Sequence, residues 1–175
     1  SGTEHSIPEY QEWRELLRKK NIQTLVARAG QKINAGRGAT IDILAPFEDY
    51  SGKSLKNPHE ANIVGRLTHG ENSILFMGDA ERSLEYRLLL DSRFKILDSD
   101  ILKVGHHGSK TSSSEELLKT VSPDIAIIQV GRKNRYGHPT QEILDRLAAV
   151  GASILRNDLD GDIRIESSGK EFFIK

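Results

Sequence analysis

The stretch Ile101-Leu102-Lys103-Val104-Gly105-His106-His107-Gly108-Ser109 decides how the chain is read. A short run of branched apolar residues predicts a buried strand, and the glycines that follow let the backbone turn sharply. Two histidines stand between those glycines, where a rigid strand fixes the direction of the side chains after it. The arrangement recurs on either side. Gly78-Asp79-Ala80-Glu81 follows Ile74-Leu75-Phe76-Met77, and Tyr136-Gly137-His138-Pro139 comes soon after the run from Ile125 to Val130. A carboxylate and imidazoles are donors that suit zinc, manganese or iron. Each cluster also has an ordinary explanation. A lone Asp after a strand is more often a turn residue or the N-cap of the next helix. A His-His pair can be a polar turn, and Gly and Pro alone account for a turn at residues 137–139. Recurrence at successive strand ends carries the chemical reading.

Outward from these clusters, strands and helices alternate. Strands are expected at Ile22–Ala27, Ala39–Leu44, Ile63–Thr68, Ser73–Met77, Ile101–Val104, Ile125–Val130, Ala152–Leu155, Asp162–Glu166 and Glu171–Ile174. Helices are expected from about Ser6, as N-cap, through Leu17, and at Glu81–Leu90, Ser114–Thr120 and Gln141–Val150. Residues 47–60 read as a polar loop. Strand–helix repetition implies one layered α/β domain over residues 1–175, with polar groups collected where strands end.

Composition narrows the class. Lys plus Arg and Asp plus Glu each total 25, so the formal net charge is zero. Any nucleic-acid partner must then be argued from a local patch. With no cysteine, disulfides and thiolate metal sites are excluded. No apolar run approaches the roughly 20 residues that span a bilayer. The opening Ser1-Gly2-Thr3, without Met, is expected of a processed or excised chain. Asp158, Asp160 and Asp162 alternate like the start of a calcium loop, but Ile163 stands where that loop needs Gly and Gly169 where it needs Glu. A turn at Asp158-Leu159-Asp160-Gly161 explains them better.

The stretch from Ile101 to Ser114 resembles the metallo-β-lactamase domain of ComEC-type competence proteins. So do Phe76-Met77-Gly78-Asp79-Ala80-Glu81, the run from Val130 to Pro139, and Arg156-Asn157-Asp158-Leu159-Asp160-Gly161. The resemblance covers nearly the whole chain. It implies an α/β, metallo-β-lactamase-like αβ/βα sandwich, of which this is the C-terminal portion, with one or two zinc or manganese ions at the sheet edge. By resemblance Asp79 bridges the metals, and one of His106 and His107 is a ligand while the other faces substrate. His138 contacts substrate or assists proton transfer. Asp79, His107 and His138 form the implied catalytic set, Asp79, His106 and His107 the metal set, and Ser109, Lys110, Asn134, Tyr136 and His138 the substrate-binding set. The family's His-x-Asp-x-Asp-His signature is absent, and His5 and His59 stand isolated. Asn57-Pro58-His59-Glu60-Ala61-Asn62 is a looser match to the family's Asn- and Ser-rich run.

The implied activity is metal-dependent hydrolysis, with a phosphodiester or DNA as substrate and weak or no catalysis by this chain alone. Lys103, Lys110, Arg132, Lys133 and Arg135 favour phosphate. Ser109, Thr111, Ser112, Ser113 and Ser114 are candidate donors to it, or else simply cap the next helix. The resemblance also implies a missing N-terminal half, and a parent that is membrane-anchored with this domain extracytoplasmic. The rival classes are a catalytically inactive fragment or scaffold module that pairs with another chain, and a nucleic-acid-binding module without chemistry. Zero net charge and few clustered aromatics weigh against the last.

Overall fold

The computed structural model describes residues 2–91 and 97–175. Helix α1 (Pro8–Lys19) opens the chain. A seven-stranded sheet follows in the order β1 (Lys32–Gly36), β2 (Ala39–Ala45), β3 (Val64–His69), β4 (Asn72–Phe76), β5 (Ile101–Lys103), β6 (Ile125–Ile128), β7 (Ser153–Arg156). β1 to β4 pair antiparallel, and β4 to β7 pair parallel. The change has a covalent cause. Gly70 and its neighbours close β3 onto β4 in a short turn. The parallel strands instead need crossovers, supplied by α2 (Arg82–Leu90), α3 (Glu115–Val121) and α4 (Gln141–Ala149). A separate antiparallel pair, β8 (Ile165–Ser167) and β9 (Phe172–Ile174), ends the chain. No helix among the described residues is long and apolar enough to cross a membrane.

Strand alternation sends Leu75, Leu102, Ala126 and Ile128 to one face. There they pack with Leu84 and Leu88 of α2, Leu117, Leu118 and Val121 of α3, and Ile143 and Leu147 of α4 in one buried cluster. α1 lies apart: it has no buried residue, and Trp13 keeps 52% of its surface exposed.

Several expectations are corrected. Ile22–Ala27 forms no strand; Leu25 is 81% exposed, and the pairing partner of β2 is β1. Gly30, Gly36 and Gly38 make the segment polar and turn-rich, which hid the Lys32–Gly36 strand. Ile7, not Ser6, occupies the N-cap of α1 and makes no side-chain cap bond; Pro8 begins the helix as expected. Residues 58–61 of the polar loop form a 3₁₀ turn, and Asn157–Asp160 a single helical turn, α5. In α5, Arg156 pairs with Asp158 and its backbone N–H donates to Asp160.

The serine run is held from behind. Ser114 caps α3 by accepting from Leu117 N–H, and Ser112 and Ser113 are buried. Glu85 of α2 is fully buried, and its two carboxylate oxygens accept the N–H groups of Ser113 and Ser114. Burial pushes its carboxyl above the ordinary glutamate value, against the two N–H groups that favour the ionised form. From α4, Arg146 donates to the carbonyls of Ser112 and Ser113. Replacing Glu85 by Ala orphans two N–H donors, each costing about 1–3 kcal/mol when buried. Urea unfolding of E85A is expected to show a loss of about 3 kcal/mol, and E85Q, which keeps one acceptor, a smaller loss.

Candidate metal centre

At the end of β4 the backbone turns through Gly78, whose φ is +53°. Asn62 wraps this turn: its amide N–H donates to Met77 O at 2.8 Å and its Oδ1 accepts from Asp79 N–H at 2.9 Å. A Cβ at position 78 would lie 2.4 Å from Asn62 Oδ1, so only glycine fits. Asp79 does not cap α2, because Glu81 holds the N-cap. Its half-exposed carboxylate is free to face the next strand end.

At the end of β5, His106 and His107 both adopt left-handed backbone, with φ of +45° and +55°. Such residues cost on the order of 1–3 kcal/mol each and persist only where the surroundings fix them. His107 Nδ1 lies 2.6 Å from Gln129 O. A carbonyl only accepts, so Nδ1 carries a proton and Nε2 is the ring nitrogen turned toward Asp79. That atom is 3.4 Å from Asp79 Oδ1, a pairing of imidazole and carboxylate donors that suits a divalent cation. His106 turns the other way. Its Nδ1 is 3.4 Å from Glu81 Oε1 and 3.5 Å from Thr111 Oγ1, and the Thr111 hydroxyl donates to Glu81 Oε1 at 3.0 Å.

His59 completes this second group. Asn57 Oδ1 accepts its N–H at 3.1 Å and so caps the 3₁₀ turn that carries it, and its ring centroid lies 4.5 Å from that of His106. One ligand atom each from His59, Glu81 and His106 falls within 4.8 Å of the others. Two imidazoles and a carboxylate are a complement that holds a catalytic divalent ion. The half-buried donors fit such an ion.

His138 comes from the loop after β6 (Ile125–Ile128). Asn134 pins it from both sides, with Nδ2–H donating to His138 O at 2.8 Å and Oδ1 accepting His138 N–H at 2.9 Å. The loop closes on the histidine turn, where a Cβ at Gly108 would meet Pro139 Cβ at 2.6 Å, and Thr140 N–H donates to Gly108 O at 3.0 Å. The His138 ring centroid is 6.0 Å from that of His106, and its Nδ1 is buried with no hydrogen-bond partner among the described residues. Burial, then the neighbouring His106 and His107, hold its pKa below the ordinary histidine value.

The structure brings Asp79, His106, His107 and His138 near one another at neighbouring strand ends. Other positions sit differently. Lys103 is buried and donates to Gly78 O at 2.6 Å, so it is turned away from any phosphate, contrary to the expectation from its place beside the histidines. Burial lowers its pKa, opposed by the charge of Asp79. Ser109 is also buried, its hydroxyl 3.1 Å from that of Thr111. Lys110 is exposed beside Arg82, Thr111 and Glu142. Tyr136 is 82% exposed and stacks on the His138 ring at 5.9 Å, while both ends of the Asn134 side-chain amide are spent on His138. His5 packs on Tyr10, away from the site. His59 and Glu81, which the structure gathers with His106 into a group that could hold a metal, were not singled out as candidate ligands in the sequence. Glu81 lay in the quoted cluster but read as a helix start, and the only signal for His59 was its place between Asn57 and Asn62, the two residues that brace the site.

Comparison with known proteins agrees with this geometry. The family model for the metallo-β-lactamase superfamily matches residues 4–132. Recombination protein 2 of Haemophilus influenzae is 39% identical over 129 residues, 74% of this chain and 15% of that protein. ComE operon protein 3 of Bacillus subtilis is 37% identical over 106 residues, 61% of this chain and 13% of that protein. Competence protein ComA of Neisseria gonorrhoeae is 36% identical over 131 residues, 73% of this chain and 18% of that protein. The chain thus spans under a fifth of the length of these relatives. A mutant of the CmlA β-hydroxylase shares the fold at a TM-score of 0.50 and 12% identity, covering 81% of this chain and 34% of that one. With carboxylate and imidazoles gathered at three strand ends, and a family match over most of its length, the chain belongs to the metallo-β-lactamase superfamily.

Proposed function

We propose that this chain forms the strand-end portion of a metal-dependent phosphodiesterase or nuclease. The observation that carries the reading is the convergence of His59, Glu81 and His106 within 4.8 Å, with the Asp79–His107 pair alongside. His59, Glu81 and His106 would hold one zinc or manganese ion. Asp79 and His107 would contribute to a second, completed by ligands from an upstream half that carries the His-x-Asp-x-Asp-His signature. A divalent ion bound there lowers the pKa of water toward neutrality and stabilises negative charge on a phosphoryl oxygen.

The chain's own residues prepare that chemistry. The Thr111 hydroxyl and His106 orient the Glu81 carboxylate. Gln129 O orients the His107 ring and keeps its Nε2 toward Asp79. His138, its pKa lowered by burial and by His106 and His107, can accept a proton from an attacking water and, once protonated, pass it to a leaving oxygen. Exposed Lys110, Lys133 and Arg135 near the rim favour an anionic substrate, which supports phosphate over a carbonyl centre. A phosphodiester of DNA is the substrate class proposed, in keeping with the recombination and competence proteins to which the chain is similar, and a membrane-anchored parent is part of the same reading.

A second reading is favoured by one observation: α1 buries no residue and β1 is exposed along its length. Such faces suit a module that pairs with another chain, or with the rest of its own parent, and has little activity alone.

Three outcomes are expected. Calorimetry of the 175-residue chain with Mn²⁺ or Zn²⁺ gives one tightly bound ion, and H59A or H106A weakens it by about 10-fold or more; two tight sites in this chain alone contradict the proposal. The chain alone cleaves single-stranded DNA or a chromogenic phosphodiester weakly or not at all. The parent domain with its upstream half is active with added metal, and D79A lowers that activity by about 100-fold or more; activity that survives D79A removes the assignment.

A further inference from the structure

Lys103 is a buried cation on a strand of otherwise apolar residues. Burying an ammonium is costly unless it is paired or put to use. Lys103 is 8% exposed, and among the described residues its ammonium makes one hydrogen bond, to the carbonyl oxygen of Gly78 at 2.6 Å. The same oxygen accepts the backbone N–H of His106 at 3.0 Å. Gly78 precedes Asp79, and His106 follows Gly105 on the neighbouring strand end. A single carbonyl therefore joins the turn that bears the carboxylate to the turn that bears the imidazoles, and the ammonium clamps the joint from within the sheet. The histidine turn has strained backbone, with φ of +45° at His106 and +55° at His107, while Gly78 takes its φ of +53° without strain. Asn62 braces the first turn separately, at Met77 O and Asp79 N–H.

We infer that Lys103 is a positioning residue, which acts through the Gly78 carbonyl to fix the spacing of Asp79 from His106 and His107. The inference rests on the metal-site reading above for its consequence in binding, but not for its geometry. Its sign is diagnostic. A positive charge near a cation site opposes cation binding, so on charge alone its removal would tighten metal binding. Positioning predicts the opposite.

The test compares the wild-type 175-residue chain with K103M, which fills the same space without charge or donor, and K103Q, which keeps a donor. Urea unfolding, amide NMR of the metal-free chain and Mn²⁺ calorimetry are the readouts. K103M is expected to be at least as stable as wild type, because a buried cation is replaced by an apolar group. The amide resonances of Asp79, His106 and His107 should move in the absence of metal, and Mn²⁺ affinity should fall by about 10- to 100-fold, with K103Q between the two. Unmoved amide resonances overturn the inference, as does Mn²⁺ affinity in K103M equal to or above wild type. A K103M chain that loses stability marks the lysine as ordinary packing and overturns it too. If wild type binds no Mn²⁺, the metal-site reading fails, while the metal-free resonances and the stability of K103M still decide the role of Lys103.

Discussion

The carbonyl oxygen of Gly78 receives two donors from the neighbouring strand end, Lys103 Nζ at 2.6 Å and His106 N–H at 3.0 Å. Most of the candidate centre hangs from this joint. β4 and β5 run parallel, so their carboxyl ends finish side by side, and the register pairs Phe76 with Lys103. The next residues must leave the ladder and present side chains rather than backbone. Gly78 can do so because it has no Cβ to strike Asn62, and Gly105 because a Cβ there would press on Ala80 O at 3.0 Å. The third strand end is added by close approach, with Pro139 lying where a side chain at residue 108 would go.

The parallel half of the sheet was legible because each of its strands is a short apolar run closed by glycine or polar residues and followed by an amphipathic helix. Asp79, His106, His107 and His138 were legible for the same reason, since each follows such a run. The antiparallel edge was not. Lys32–Gly36 is exposed throughout and carries no alternation, whereas Ile22–Ala27 looks like a strand yet pairs with nothing in the sheet. Hydrophobic content and strand pairing part company wherever a face is left uncovered.

His59 was illegible for a different reason. It lies on a 3₁₀ turn in a polar loop, distant in sequence from every cluster, and reaches the site because Asn57 caps that turn and Asn62 is bonded to Met77 and Asp79. Only tertiary contact reveals such a ligand. Lys103 misled in the opposite way. A basic residue two positions from a glycine–histidine turn looks like an anion ligand, but β5 is buried on both faces and Lys103 with it. Glu85 and the serine run show the same reversal: hydroxyls that look like a phosphate cradle serve a helix start whose backbone is tied to a buried carboxylate.

The mixed sheet bears on how the centre comes into being. β1 pairs with β2 and β3 with β4 across tight turns at residues 37–38 and 70–71, which close small loops, whereas residues 46–63 separate β2 from β3. Each parallel pairing must wait for a whole crossover helix to dock. The candidate donors are scattered across this division: His59 lies between β2 and β3, Glu81 and His106 flank the first crossover, and His138 follows the strand reached by the second. An ion held by His59, Glu81 and His106 would therefore find its donors only once β2 to β5 and the first crossover are in place. Such a site would close on a finished architecture and not template it, so its affinity would report on the integrity of the sheet around it.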